Sequence, residues 1–110
     1  MDDRRFGAEI TEVPEEIRIR LSGDLNARAD EGMAEAYAKV VALGPHRVSL
    51  DFGNIGYINS TGIALVVRLL ADARRDRRVV RAIGLSEHYQ EIFRITRLSD
   101  FMEIVGGDPA

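Results

Sequence analysis

Two hydroxyl groups lie side by side in the segment Asn59-Ser60-Thr61-Gly62, between an apolar strand and an apolar helix. A hydroxyl at such a junction can be a nucleophile, can line a phosphate-binding loop or can receive a phosphoryl group. The simplest interpretation is a helix cap, in which the side chain of Asn59 or Ser60 accepts a hydrogen bond from a free N–H of the first turn. The surrounding residues decide among these roles.

Catalysis fits the surrounding residues poorly. A serine nucleophile needs a base within reach, and the chain has two histidines, His46 in a turn and His88 near the start of a helix. The GxSxG motif of a nucleophile elbow is absent. Gly53, Gly56 and Gly62 match the spacing of neither nucleotide-binding motif. We therefore expect a protein that is not an enzyme, with both histidines on the surface.

Asp51 lies near the end of a central strand, where a phosphate-receiver domain keeps its acceptor carboxylate. Such a domain also needs an acidic pair for magnesium and a later lysine, and the chain has a single lysine, Lys39, in a helix. We expect Asp51 to accept local backbone hydrogen bonds instead.

A cluster of basic side chains follows the central apolar helix. Its members are Arg74, Arg75, Arg77, Arg78 and Arg81. Cations at a helix end complement the negative end of its dipole, so a solvated turn is one interpretation. A docking patch for an acidic partner is the other.

Composition limits the classes of function further. The chain has 110 residues, enough for one domain, whose core we place at about 7–105 with a loose tail over 106–110. It has no cysteine, and we expect neither a metal nor a cofactor. A net charge of −3 does not favour nucleic acid. With no signal sequence and no apolar run long enough to span a bilayer, we expect a cytoplasmic protein without membrane insertion.

Hydrophobic periodicity predicts alternating strands and helices. The strands are expected over 7–13, 16–22, 47–52, 79–85 and 101–105, and the helices over 28–42, 60–76 and 87–96. The inward-facing helix residues are expected to include Met33, Ala36, Tyr37, Val40, Val41, Ile63, Val66, Val67, Leu70, Tyr89, Ile92, Phe93 and Thr96. This order predicts an α/β fold with a mixed, largely parallel sheet and one sheet face less covered than the other.

A regulatory role for Ser60 follows from the geometry of the cap. A phosphoryl group would add about −1.5 to −2 charges at the helix N-terminus, where free N–H groups and the dipole favour anions. The fold would survive, while the uncharged surface around Ile58, Ser60 and Ile63 would become dianionic. The pattern thus permits a binding switch without a conformational change.

Three segments resemble a known family, the STAS domains, and specifically the stand-alone bacterial anti-sigma factor antagonists. The run SLDFGNIGYINSTGIALVVRLL resembles the family's central signature, in which an acidic residue, a serine, a serine or threonine and a glycine open a helix. LSGDLN at 21–26 resembles the segment before the first helix, and EIFRITRL at 91–98 resembles a late helical segment. The resemblance covers nearly the whole chain in the same order.

The resemblance implies a fold, a partner and a modification site. The STAS fold is a small mixed sheet of four to five strands with helices mainly on one face. The implied partner is an anti-sigma factor, a serine kinase of the GHKL type, which would phosphorylate Ser60, with Thr61 as the second candidate; a serine phosphatase would reverse this. The expected partner-binding residues are Asp24, Asn26, Ile58, Asn59, Ser60, Thr61, Gly62 and Ile63.

The sequence departs from the family pattern at two acidic positions. Asn59 and Asn26 stand where aspartate is usual, so two carboxylates beside the site are absent. Asn59 is still a competent cap. The alternative is a STAS interaction module without phosphorylation, in a stress-signalling assembly or a lipid-transport ATPase.

Overall fold

A computed structural model describes residues 4–106 of the chain. The strands are β1 (Gly7–Val13), β2 (Glu16–Leu25), β3 (Arg47–Ile58), β4 (Val79–Ile83) and β5 (Glu103–Val105), and the helices are α1 (Asp30–Leu43), α2 (Ser60–Arg75) and α3 (Glu87–Ile95). Short 3₁₀ turns at Ala27–Ala29 and Leu98–Asp100 precede α1 and β5. The tail expected over 106–110 lies outside the described residues from position 107 onwards.

The five strands form one mixed sheet in the order β1-β2-β3-β4-β5. β1 and β2 are antiparallel, and the other neighbours are parallel. Each parallel connection moves one strand further in the same direction, so right-handed crossovers place all three helices on one face of the sheet. The core between the layers includes Ile19, Leu50, Val66, Ala82 and Phe93, each buried. The predicted α/β fold, with a mixed sheet and helices on one face, is confirmed.

The opposite face of the sheet carries charged side chains. Glu16 is buried there, with 7% of its surface exposed, and its carboxylate accepts a hydrogen bond from Ser49 at 2.8 Å. Arg18 and Arg81 each lie 3.4 Å from the same carboxylate. The predicted less-covered face is therefore closed by paired polar side chains and not by a helix.

Two strands are longer than their sequence pattern predicts. β2 continues through the expected break to Leu25, and β3 continues through the glycine-rich segment to Ile58. In this region Asp51–Ile58 of β3, eight residues, lie opposite Arg20–Leu25 of β2, six residues, so β3 holds two extra residues at shifts in register. Gly53 and Gly56 fall at these shifts, where glycine accommodates a bulge. The alternation that marks a strand is lost at a bulge, although the pairing continues.

The helices bury a narrower stripe than expected. Val41 and Val67, both expected to face inward, are 48% and 46% exposed, and Thr96 is exposed as well. Val41 and Val67 directly follow Val40 and Val66, which are buried and already fill the space above the sheet. Thr96 lies outside the buried stripe of α3. β4 also ends two residues earlier than predicted, because Gly84 has a positive φ of 78° that turns the chain toward α3.

Candidate functional site

Asn59, not Ser60, caps α2. The Gly62 N–H donates to Asn59 Oδ1 at 2.8 Å, and the Ile63 N–H donates to the Asn59 carbonyl at 3.0 Å. Ser60 and Thr61 are the first two helical residues, and their side chains are exposed. The first N–H groups of a helix have no acceptor within the helix, so the two hydroxyls lie at its electropositive end.

The end of β2 holds the start of α2 in place. The Asn59 N–H donates to the Leu25 carbonyl at 3.2 Å. Gly62 is buried against the same carbonyl, and any side chain at this position would overlap it. Glycine is therefore required for the close approach between the helix and the strand.

Ile58 belongs to the core and not to the exposed surface around Ser60. Its side chain is 5% exposed, and its backbone N–H donates to the Tyr89 hydroxyl at 2.9 Å. This bond ties the end of β3 to α3. The expectation of an apolar surface patch at Ile58 is corrected accordingly: strand alternation turns its side chain inward, and Ile63 is half-buried beside it.

Asp24 and Asn26 lie at the same edge of the sheet as Ser60. In the parallel pairing of β2 with β3, Asp24 is opposite Tyr57 and Leu25 is opposite Ile58. Asn26 follows directly and caps the 3₁₀ turn, where its Oδ1 accepts from the Arg28 N–H at 2.9 Å. The carboxyl ends of these two strands thus form one surface, which we call the switch edge: Asp24, Asn26, Tyr57, Asn59, Ser60 and Thr61.

Three contributors to this edge were not predicted. Tyr57 is 57% exposed beside Asp24, Tyr89 fixes Ile58, and Arg4 pairs with Asp24 at 3.0 Å between Nε and Oδ1. Alternation along an extended β3 points to Tyr57 as an outward residue, but the glycines around it obscured that signal. Arg4 carries no local signal, because its contact joins residues 20 positions apart.

Other residues singled out in the sequence play structural or surface roles. Asp51 Oδ1 accepts the Gly53 N–H at 2.9 Å, which confirms the predicted local bond. His46 and His88 are exposed, as expected. Among residues 4–106 no cluster of three or more potential metal ligands occurs. Within the same residues, no helix combines the length and apolar character needed to cross a bilayer.

A family model described as "Mlab, STAS domain" matches residues 8–106. The chain therefore belongs to the STAS domain family, as the sequence motifs predict. The family assignment agrees with the order of the strands, the one-sided helices and the serine that follows the Asn59 cap at the start of α2.

Two relatives with similar sequences are anti-sigma-B factor antagonists. The anti-sigma-B factor antagonist of Staphylococcus epidermidis is 27% identical over 89 residues, which are 81% of this chain and 82% of that protein. The corresponding protein of Staphylococcus aureus (strain NCTC 8325 / PS 47) is 23% identical over 99 residues, 90% of this chain and 92% of that protein.

Solved structures share the fold. An anti-sigma factor antagonist from Mycobacterium paratuberculosis superposes with a TM-score of 0.76 at 12% identity, over 90% of this chain and 84% of that one. The Bacillus cell fate determinant SpoIIAA in its phosphorylated form gives a TM-score of 0.68 at 19% identity, over 93% of this chain and 92% of that one.

Proposed function

We propose that this protein is an anti-sigma factor antagonist that works in the cytoplasm and is not an enzyme. It binds an anti-sigma factor, a serine kinase of the GHKL class, through the switch edge, and so frees a sigma factor. Phosphorylation of Ser60 by that kinase ends the binding, and a serine phosphatase restores it. The named roles of the Staphylococcus relatives support the general function.

The observation that carries the proposal is the division of roles between Asn59 and Ser60. Asn59 supplies the cap at 2.8 Å, so the Ser60 hydroxyl is not needed to start the helix. It is nevertheless exposed on the first turn of α2. The Asn59 cap of that turn is bonded to the Leu25 carbonyl of β2, and the preceding residue, Ile58, is bonded to Tyr89 of α3. A rigidly presented hydroxyl without a structural role suits a modifying enzyme.

The same geometry explains how modification would act. A phosphoryl group on Ser60 would add about −1.5 to −2 charges. The free N–H groups at the start of α2 would stabilise that charge, so the helix would persist. A partner surface that fits the unphosphorylated edge would then face a dianion, and binding would weaken through desolvation and repulsion with the backbone unchanged.

The direct test is phosphorylation in vitro. We expect one GHKL-class serine kinase encoded in the same genome to bind the protein and, with ATP, to incorporate phosphate that mass spectrometry maps to Ser60. Ser60→Ala should abolish incorporation, and Thr61→Ala should retain it. Incorporation that persists in Ser60→Ala, or none with any such kinase, would contradict the proposed switch.

A second candidate rests on the family description, which names Mlab together with the STAS domain. In this role the chain is an interaction module of a larger assembly, and Ser60 is not modified. The amide side chains of Asn59 and Asn26, where the antagonist pattern has carboxylates, are the sequence feature that favours it. Stable co-purification with a membrane transporter subunit, without phosphate incorporation, would select this candidate.

A further inference from the structure

A groove lies at the far end of α2, where the helix meets β4 and the turn before β5. We call it the basic groove; it has a volume of about 300 Å³ and includes Arg74, Arg77, Arg78, Val79, Asp100 and Phe101 in its lining. α2 has 16 residues, so at about 1.5 Å per residue the groove is roughly 24 Å along the helix from Ser60. It is separate from the switch edge.

The arginines of the predicted cluster divide into paired and unpaired side chains. Arg75 lies 3.1 Å from Asp72 and 3.7 Å from Asp76, and Arg81 is paired with Glu16 and Glu103. The remaining three, Arg74, Arg77 and Arg78, have no carboxylate within ion-pair distance among the residues that the structure describes. All three line the groove.

The acidic residue in the groove does not neutralise them. Asp100 is already paired with Arg97 at 2.8 Å, outside the lining. Arg78 donates through Nη1 to the Pro45 carbonyl, but its buried Nε has no hydrogen-bond partner within residues 4–106. The groove therefore concentrates uncompensated positive charge in a chain whose formal net charge is −3.

An exposed aromatic ring accompanies this charge. Phe101 is 51% exposed, and the Arg74 guanidinium stacks over it at 5.2 Å from the ring centroid. Val79, also in the lining, is 42% exposed. Arginine and aromatic side chains are enriched at the energetic centres of protein interfaces, because they combine apolar area with charged hydrogen bonds.

We propose that the basic groove docks an acidic segment of a partner protein that carries an apolar side chain. Carboxylates of the segment pair with Arg77 and Arg78, and the apolar side chain packs on Phe101 and Val79. A protein segment fits better than nucleic acid, because the lining combines its cations with exposed apolar surface on Phe101 and Val79, and a formal net charge of −3 does not favour a long polyanion. Docking here is independent of the phosphorylation state of Ser60, because the two surfaces are at opposite ends of α2.

The test is a titration of the isotope-labelled full chain with a short fluorescent peptide in which aspartates and glutamates flank a leucine. We expect saturable binding, weaker at high salt, with amide NMR shifts concentrated at Arg77, Val79 and Phe101. Arg77→Glu should weaken binding by at least about tenfold. Lys39→Glu, the same charge change on an exposed residue of α1, should leave it within about twofold, and Phe101→Ala should weaken it several-fold.

Several outcomes would overturn the proposal. One is a loss of peptide affinity in Lys39→Glu equal to that in Arg77→Glu. The others are equal affinity for a peptide with lysines in place of the acids, and amide NMR shifts located away from the groove. Tighter Arg77-dependent binding of a single-stranded oligonucleotide or of phosphatidylglycerol vesicles would also reject a protein segment as the occupant. Ser60→Asp is expected to bind the peptide as the wild type does, so the result is independent of the proposed switch. If Arg77→Glu loses helical circular dichroism, Arg77→Gln replaces it, with a smaller loss in the same direction.

Discussion

Asn59 and Ser60 are adjacent residues with different tasks. The Asn59 side chain satisfies the Gly62 N–H and leaves the Ser60 hydroxyl exposed. An amide accepts this bond as a carboxylate does, so the replacement of the usual acid keeps the cap and removes only a charge. The residue that caps the helix, Asn59, is therefore distinct from the residue proposed for phosphorylation, Ser60.

The cap gives a stability prediction. Asn59→Ala removes the acceptor for the Gly62 N–H and should lower the free energy of unfolding by about 1 kcal/mol, measured by urea denaturation. Asn59→Asp should retain the bond and gain a few tenths of a kcal/mol from the helix dipole. Asn54→Ala, at an exposed position of β3, is the matched control and should change little. A loss in Asn59→Ala no greater than in this control would mean that the cap is unimportant.

At the scale of elements, most boundaries follow from local pattern and the exceptions have non-local causes. The start of α2, its cap and the alternation of Val48, Leu50 and Phe52 are encoded within a few residues, and they were predicted. The extension of β3 to Ile58 depends on pairing with β2 across bulges, which no local window contains. The same extension brings Tyr57 beside Asp24, so Tyr57 is the one member of the switch edge that the sequence alone does not predict.

A contact between α1 and the end of α2 gives a second prediction. The Tyr37 hydroxyl donates to Asp76 Oδ2 at 2.7 Å. Tyr37→Phe removes this bond and should lower the free energy of unfolding near pH 7 by about 1 kcal/mol, measured by urea denaturation. Tyr57→Phe is the control, because its ring is 57% exposed at the carboxyl end of β3.

The loss of unfolding free energy in Tyr37→Phe should depend on pH. Burial, reinforced by the hydrogen bond to Asp76, raises the pKa of Tyr37 above its ordinary value of 10.0. A group whose pKa is higher in the folded state contributes its full stabilisation below its unfolded-state pKa. This contribution is lost as pH rises through the folded-state pKa. The difference in stability between the wild type and Tyr37→Phe should therefore shrink above about pH 10. A difference that stays constant across that range would contradict this account.

At the scale of the whole molecule, different residues form the scaffold and the proposed binding surfaces. The helices cover one face of the sheet, and paired charges around Glu16 close the other. Both proposed partner surfaces are at the ends of α2: the switch edge around Ser60 and the basic groove around Arg77. A charge placed at the first end should change binding there without changing the fold.

The binding of Ser60→Asp to the proposed anti-sigma factor partner tests this account most directly. By isothermal titration calorimetry we expect an affinity at least about tenfold weaker than wild type, or about 1.4 kcal/mol, with Ser60→Ala close to wild type. Ala38→Asp, a charge added to an exposed position of α1, should bind normally. Ser60→Asp should also unfold in urea at the wild-type midpoint, since the helix N-terminus accepts the charge. Wild-type affinity in Ser60→Asp, or loss of its fold, would contradict the central claim.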